Sequence, residues 1–430
     1  MRVVLLSIFC LFFSSILYAN INIDFWKTEN GVRVYFVESH ELPIVDIKIN
    51  FDAGSARDPE GQYGVANLTN YLMLLGAGDL DENQISNRFS DIGATLGGGI
   101  DRDHAQLSIR TLSDKKIFSQ ALDTFKLVLT KPSFADDVFE REKKSTLSLI
   151  DQSKTQPDSL GKNAFSKALY GDHPYSYPEE GLAESVSKLT RNNIIDFYNQ
   201  FYSSQNASIV IVGDLSKTEA QKVVSDLTSH LKDYGHAPIP EVTENEPQNI
   251  SIEHPAQQAH LFYGMPSMVR LDKDFYPLYV GNYIVGGGGF VSRLTGEVRE
   301  KNGLVYSVYS YFMPLTQKGP FQIGLQTKKS QMNDALNLVN QVMKDFIEKG
   351  PTKEELKDAK MNLIGGFPLR LDSNKKIAEY ISMMAIYNYP IDYLESFAKN
   401  IDKVTIEDIK DAFQRRIDMS RFSTVIVGNS

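Results

Sequence analysis

The sequence predicts an α+β protein built from two homologous tandem domains, each a mainly antiparallel sheet packed with helices. Three observations carry this expectation. The 430-residue chain is longer than one hydrophobic core usually serves. A helix-then-strand unit occurs twice: a Thr-capped helix over 190–198 runs into an apolar strand over 207–214, and the same order returns at 405–413 and 423–428, about 200 residues later. Early segments alternate apolar with polar residues and are followed by helices, the order of an α+β unit rather than a doubly wound one.

Taken from the N-terminus, residues 1–19 read as a secretory signal. Arg2 supplies the positive start, 3–13 are almost wholly apolar, and 14–19 lead to a cut after Ala19. The apolar run is short for a membrane span, although an uncleaved N-terminal anchor is the alternative. The expected mature chain is exported, periplasmic and free of stable membrane insertion. Cys10, the only cysteine, lies inside the signal, so the mature chain has no disulfide, which suits an oxidising compartment. The formal net charge is −9, and no basic cluster offsets it, which argues against nucleic acid as a partner.

The segments 31–37 and 44–51 read as half-buried antiparallel strands. A helix near 121–129, a turn containing Pro132 and a helix over 136–151 make the middle of the first half; 335–347, Pro351 and 353–364 echo it in the second. Residues 234–249 are polar, hold three prolines and show no period, so they read as a linker. The expected organisation is a signal at 1–19, domains at 20–233 and 250–430, and a linker at 234–249.

The chemistry is expected at a few positions. Gly64-Val65-Ala66-Asn67-Leu68-Thr69-Asn70-Tyr71 follows a loop over 51–61, and together they resemble the segment that opens the active site of the M16 (pitrilysin-like) zinc peptidases. In that family His-x-x-Glu-His supplies two zinc ligands and the general base. Here the matching positions are Asn67, Asn70 and Tyr71, and Leu149 falls where a later helix would bring the third ligand, Glu. An amide binds zinc poorly and takes no proton from water, and a phenol would first have to ionise. No cofactor is therefore expected on this chain.

The resemblance spans the mature chain and is similar to M16B half-clam members of the non-catalytic subunit type. It implies a LuxS/M16 metallopeptidase-like fold in which two halves enclose substrate. Glycines 286–289 and the segment 290–310 match the family's second signature, in which a helical Arg and a strand Tyr seven residues later reach substrate beside the zinc. This singles out Arg299 and Tyr306. A guanidinium offers forked donors to a peptide carbonyl, and a phenol donates to a developing oxyanion. The alternative for both is an ordinary solvated helix and strand. The Gly-rich run lacks a following Gly-Lys-Ser/Thr, so it reads as close packing rather than a phosphate loop.

Gly97, Gly98 and Gly99 lie in the segment that in the family forms a sheet edge to which an extended peptide adds; a flexible loop is the other reading. None of the seven histidines is three or four residues from another, which disfavours a helical metal site, although His254 and His260 flank Pro255. Two functions remain. The chain is either the zinc-free subunit of a heteromeric M16-type peptidase, whose homologous partner carries His-x-x-Glu-His and zinc and cuts extended peptides, or a non-enzymatic binding or assembly protein. No Cys or Gly-x-Ser-x-Gly nucleophile supports an unrelated active site.

Overall fold

A computed structural model describes residues 21–235 and 238–428. The segment read as a secretory signal lies outside the described residues.

The N-terminal half holds strands β1 (Asp24–Lys27), β2 (Arg33–Glu38), β3 (Ile44–Phe51), β4 (Thr95–Ile100), β5 (Ala105–Leu112) and β6 (Ala207–Gly213), arranged in space as β1-β2-β6-β3-β5-β4. The C-terminal half holds β7 (Asn249–Ile252), β8 (Gln258–Met268), β9 (Val305–Phe312), β10 (Gly319–Lys328) and β11 (Ser423–Val427), arranged β7-β11-β8-β10-β9. Without β1 the two orders are the same. In each sheet the last strand of the half inserts second and pairs parallel with the first, β6 with β2 and β11 with β7. The other pairings are antiparallel.

The recurring local chemistry explains why. Thr190 and Thr405 each accept from the backbone three residues on, Asn193 and Asp408, and those side chains accept in return, closing two capping boxes. Each cap starts the helix that delivers the inserted strand. β6 is buried at every residue, as expected of a central strand.

The halves exchange helices. The Pro157–Tyr170 helix of the first half packs on β8 and β11, while the Asn374–Ile386 helix of the second packs on β3 and β6. Tyr35, Val37, Val210 and Val212 thereby join the C-terminal core, and Phe165 and Leu169 pack with Phe262, Val425 and Val427. Gly161 permits the first of these contacts: a Cβ there would stand 2.0 Å from Phe262 Cε2. Gly161→Ala is expected to lift the helix or turn the ring, costing about 1–3 kcal/mol in a urea titration.

The connecting segment is no free tether. Ile239 and Val242 are buried beside Tyr175 and Leu315, and Asn245 donates to the Leu169 carbonyl. Buried Asp103 fastens the halves more strongly. Its carboxylate accepts from the Tyr175 and Tyr387 hydroxyls, the latter at 2.9 Å, and from the Thr316 N–H at 2.8 Å. Among the described residues no helix is long and apolar enough to cross a membrane.

Candidate functional site: the Val65–Met73 helix and the Arg299 and Tyr306 segment

The helix Val65–Met73 carries three of the positions singled out from the sequence. Asp58 starts it, accepting from the Gly64 N–H at 2.6 Å and the Ala66 N–H at 2.9 Å. Burial pushes the Asp58 carboxyl up to about 7, against the pull of those two donors. Nothing in the sequence pattern had marked Asp58 beyond its place in the preceding loop.

Asn70 is buried. Its Nδ2 donates at 3.2 Å to the Gln106 carbonyl and at 3.2 Å to the Tyr202 hydroxyl. Burial pushes the Tyr202 phenol above its ordinary range, so it stays neutral as an acceptor. Asn67 is half-buried, and Tyr71 is exposed. Leu149 is exposed on the Asp136–Ser153 helix, which packs against the first one.

Zinc does not fit this set. Asn70 is held in place by its Nδ2 donations, Leu149 has no donor atom, and what is left, neutral amide oxygens and a phenol, is a poor zinc set. Among the described residues no three His, Cys, Asp or Glu side chains gather for a metal. His40 and His104 pair with carboxylates, and two other histidines bond the backbone. His254 bonds the Thr155 carbonyl at 3.1 Å, and His173 bonds the Pro240 carbonyl at 2.8 Å.

Gly97, Gly98 and Gly99 lie in β4, a strand rather than a loop, at the free edge of the sheet. Gly98 faces the helix: a Cβ there would stand 3.0 Å from Asn70 Oδ1. The Val65–Met73 helix and the edge strand are therefore neighbours.

Arg299 and Tyr306 lie in the other half, on two elements that pack against each other. Arg299 belongs to Thr295–Lys301, a helical segment with π-type spacing, a form frequent at functional sites. Its guanidinium carbon sits 5.1 Å from the Phe290 ring centre, and the side chain is 38% exposed. Phe290 and Val291 are about three-quarters exposed, so this aromatic contact forms at the surface. Tyr306 is the extra residue of a bulge: Val305 faces Thr327 and Ser307 faces Gln326, leaving Tyr306 without an opposite number. A bulge re-aims its side chain, and Tyr306 is 49% exposed. Gly286 lets the preceding turn press on β9, since a Cβ there would meet Ser310 Oγ at 2.3 Å.

Arg293 anchors this segment. It donates to both Glu355 carboxylate oxygens, at 2.6 and 2.7 Å, and to the Gly350 carbonyl at 3.1 Å. Burial draws the Glu355 carboxyl upward, but the donors from Arg293 and Thr352 outweigh it and hold it at about 2. A depressed carboxyl contributes stability above its ordinary value near 4.5 that is lost as the pH falls toward 2. Glu355→Gln is expected to shrink the acid-induced drop in melting temperature across that window.

Comparison with known proteins agrees with this frame. The family model described as insulinase (peptidase family M16) matches residues 33–181, and the peptidase M16 inactive domain model matches 188–363. A crystal structure described as a peptidase M16 inactive domain from Pseudomonas fluorescens is 35% identical, covers 95% of this chain and 98% of its own, and superposes with a TM-score of 0.92. The non-peptidase homolog YmxG of Helicobacter pylori is 26% identical over 93% of this chain and 92% of its own. The uncharacterized zinc protease YmxG of Bacillus subtilis is 24% identical over 82% and 86%. With matches reaching from residue 33 to residue 363 and a relative 35% identical over nearly the whole length, this chain is a member of the M16 peptidase family.

Proposed function

We propose that this chain is the zinc-free subunit of a two-chain M16-type peptidase acting on extended peptides. The observation that carries the reading is selective loss. The metal positions Asn67, Asn70, Tyr71 and Leu149 hold no usable donor set, whereas Arg299 and Tyr306 stand exposed on a π-type turn and a bulge. In this reading the homologous partner carries His-x-x-Glu-His and zinc, which supplies the Lewis acid of the reaction. Arg299 holds the substrate carbonyl with forked donors, and Tyr306 donates its phenolic proton to the oxyanion as negative charge grows there. The free edge of β4 takes an extended peptide as an added strand. The subunit is exported and acts in the periplasm.

Mixing experiments test this. The chain alone is expected to leave peptides uncut, and cleavage is expected when the zinc-bearing sibling is added.

A second reading is supported by the name of the Helicobacter pylori relative, a non-peptidase homolog. A binding or assembly protein would form a stable complex with its partner and cleave nothing in any mixture.

A further inference from the structure

Beside the edge strand lies a hollow of about 220 Å³, lined by Asp46, Lys48, Thr95, Gly97, Arg110 and Lys375 among others. The register explains its shape. Gly97 stands opposite Ser108 on β5, and Ser108 stands opposite Lys48 on β3. These three residues form one row across one face of the sheet, and the first two are small. A trough therefore runs from the free edge of β4 to the Lys48 side chain.

Lys48 is poorly served where it lies. Its side chain is only 11% exposed, yet its ammonium is 3.4 Å from Gln106 Oε1 and 3.9 Å from Glu379. Burial draws its pKa down, against the nearby Glu379 and Asp46, while Lys375 adds a like charge. Asp46 does not neutralise it, because Arg110 holds that carboxylate at 2.9 and 3.1 Å. A half-desolvated cation thus faces a trough opening on the edge.

A peptide added to β4 would send alternate side chains over this face. The added strand would lie three strand spacings from β3, roughly 14 Å. A Glu side chain and Lys48, lying flat over Gly97 and Ser108, bridge that span better than the shorter Asp. We propose that a peptide on the β4 edge is selected for a Glu opposite Gly97, seated on Lys48 and Lys375. The proposal rests on the reading of β4 as the peptide-binding edge.

The test uses the full chain and three end-blocked, Thr/Val-rich nonapeptides that differ only in a central Glu, Asp or Gln. Fluorescence anisotropy is expected to give the Glu peptide a Kd about tenfold below that of the Gln peptide, with Asp between. Lys48→Gln should raise the Kd of the Glu peptide to that of the Gln peptide, whose own Kd stays unchanged. Lys375→Gln, on an exposed helix position, should narrow the gap with the fold intact. Equal binding of Glu and Gln peptides, or a Glu preference surviving both substitutions, overturns the charge selection and leaves strand addition standing. Binding of none of the three overturns strand addition itself.

Discussion

Arg299→Ala in the proposed two-chain enzyme is expected to lower the cleavage rate roughly 100-fold, with Tyr306→Phe close behind. Removing one preordered donor to a developing oxyanion typically costs 10²- to 10³-fold in kcat, because the charge it meets appears only in the transition state. The loss should therefore fall mainly on kcat for Tyr306, and on both kcat and KM for Arg299, which in the proposed role also holds the ground-state carbonyl. Both side chains are partly exposed: Arg299 lies 3.8 Å from exposed Glu300 and over the surface ring of Phe290, and Tyr306 sits at an unpaired bulge position. Neither substitution should move the melting temperature by more than a degree or two. Full activity in both variants would remove Arg299 and Tyr306 from the chemistry.

The largest effect on stability is expected at Asp103. Its carboxylate joins Tyr175 of the first half to Tyr387 and the Thr316 N–H of the second, and the Tyr175 oxygen accepts in turn from the Gln317 N–H at 3.1 Å. Burial, reinforced by the Asp103 charge, pushes both phenols far above their ordinary value, which keeps them protonated as donors. The Arg270 guanidinium stacks on Tyr387, 4.5 Å from its ring centre. Asp103→Ala strands two largely buried hydroxyls and an amide at the interface, at a cost of about 3–5 kcal/mol in urea denaturation. Tyr387→Phe removes one donor and should cost only about 1–2 kcal/mol. A loss under 1 kcal/mol for Asp103→Ala would show that the exchanged helices alone hold the halves together.

The fold was legible because its repeat is written in local chemistry. Thr190 and Thr405 cap equivalent helices, and the apolar strands after them leave little choice but a central place in a sheet. The edge position of Gly97, Gly98 and Gly99 was less so, since three glycines suit a loop as well as a strand; pairing with 106–108 decides for the strand. Asp58 and Asp103 escaped notice for a physical reason. Asp58 acts through amides six and eight residues on, Asp103 through hydroxyls and an amide brought from elsewhere in the chain, and a lone Asp in a loop carries no sign of what will surround it. The exchange of helices between halves was equally hidden, because the pattern of an amphipathic helix marks a buried face and not the sheet that buries it.

The division of labour between two chains is tested most directly by purifying the native complex and measuring zinc per mole of each chain. One zinc per pair of chains, retained by the partner and absent from this chain after the two are separated, is the predicted result. Zinc that stays with this chain alone would contradict it.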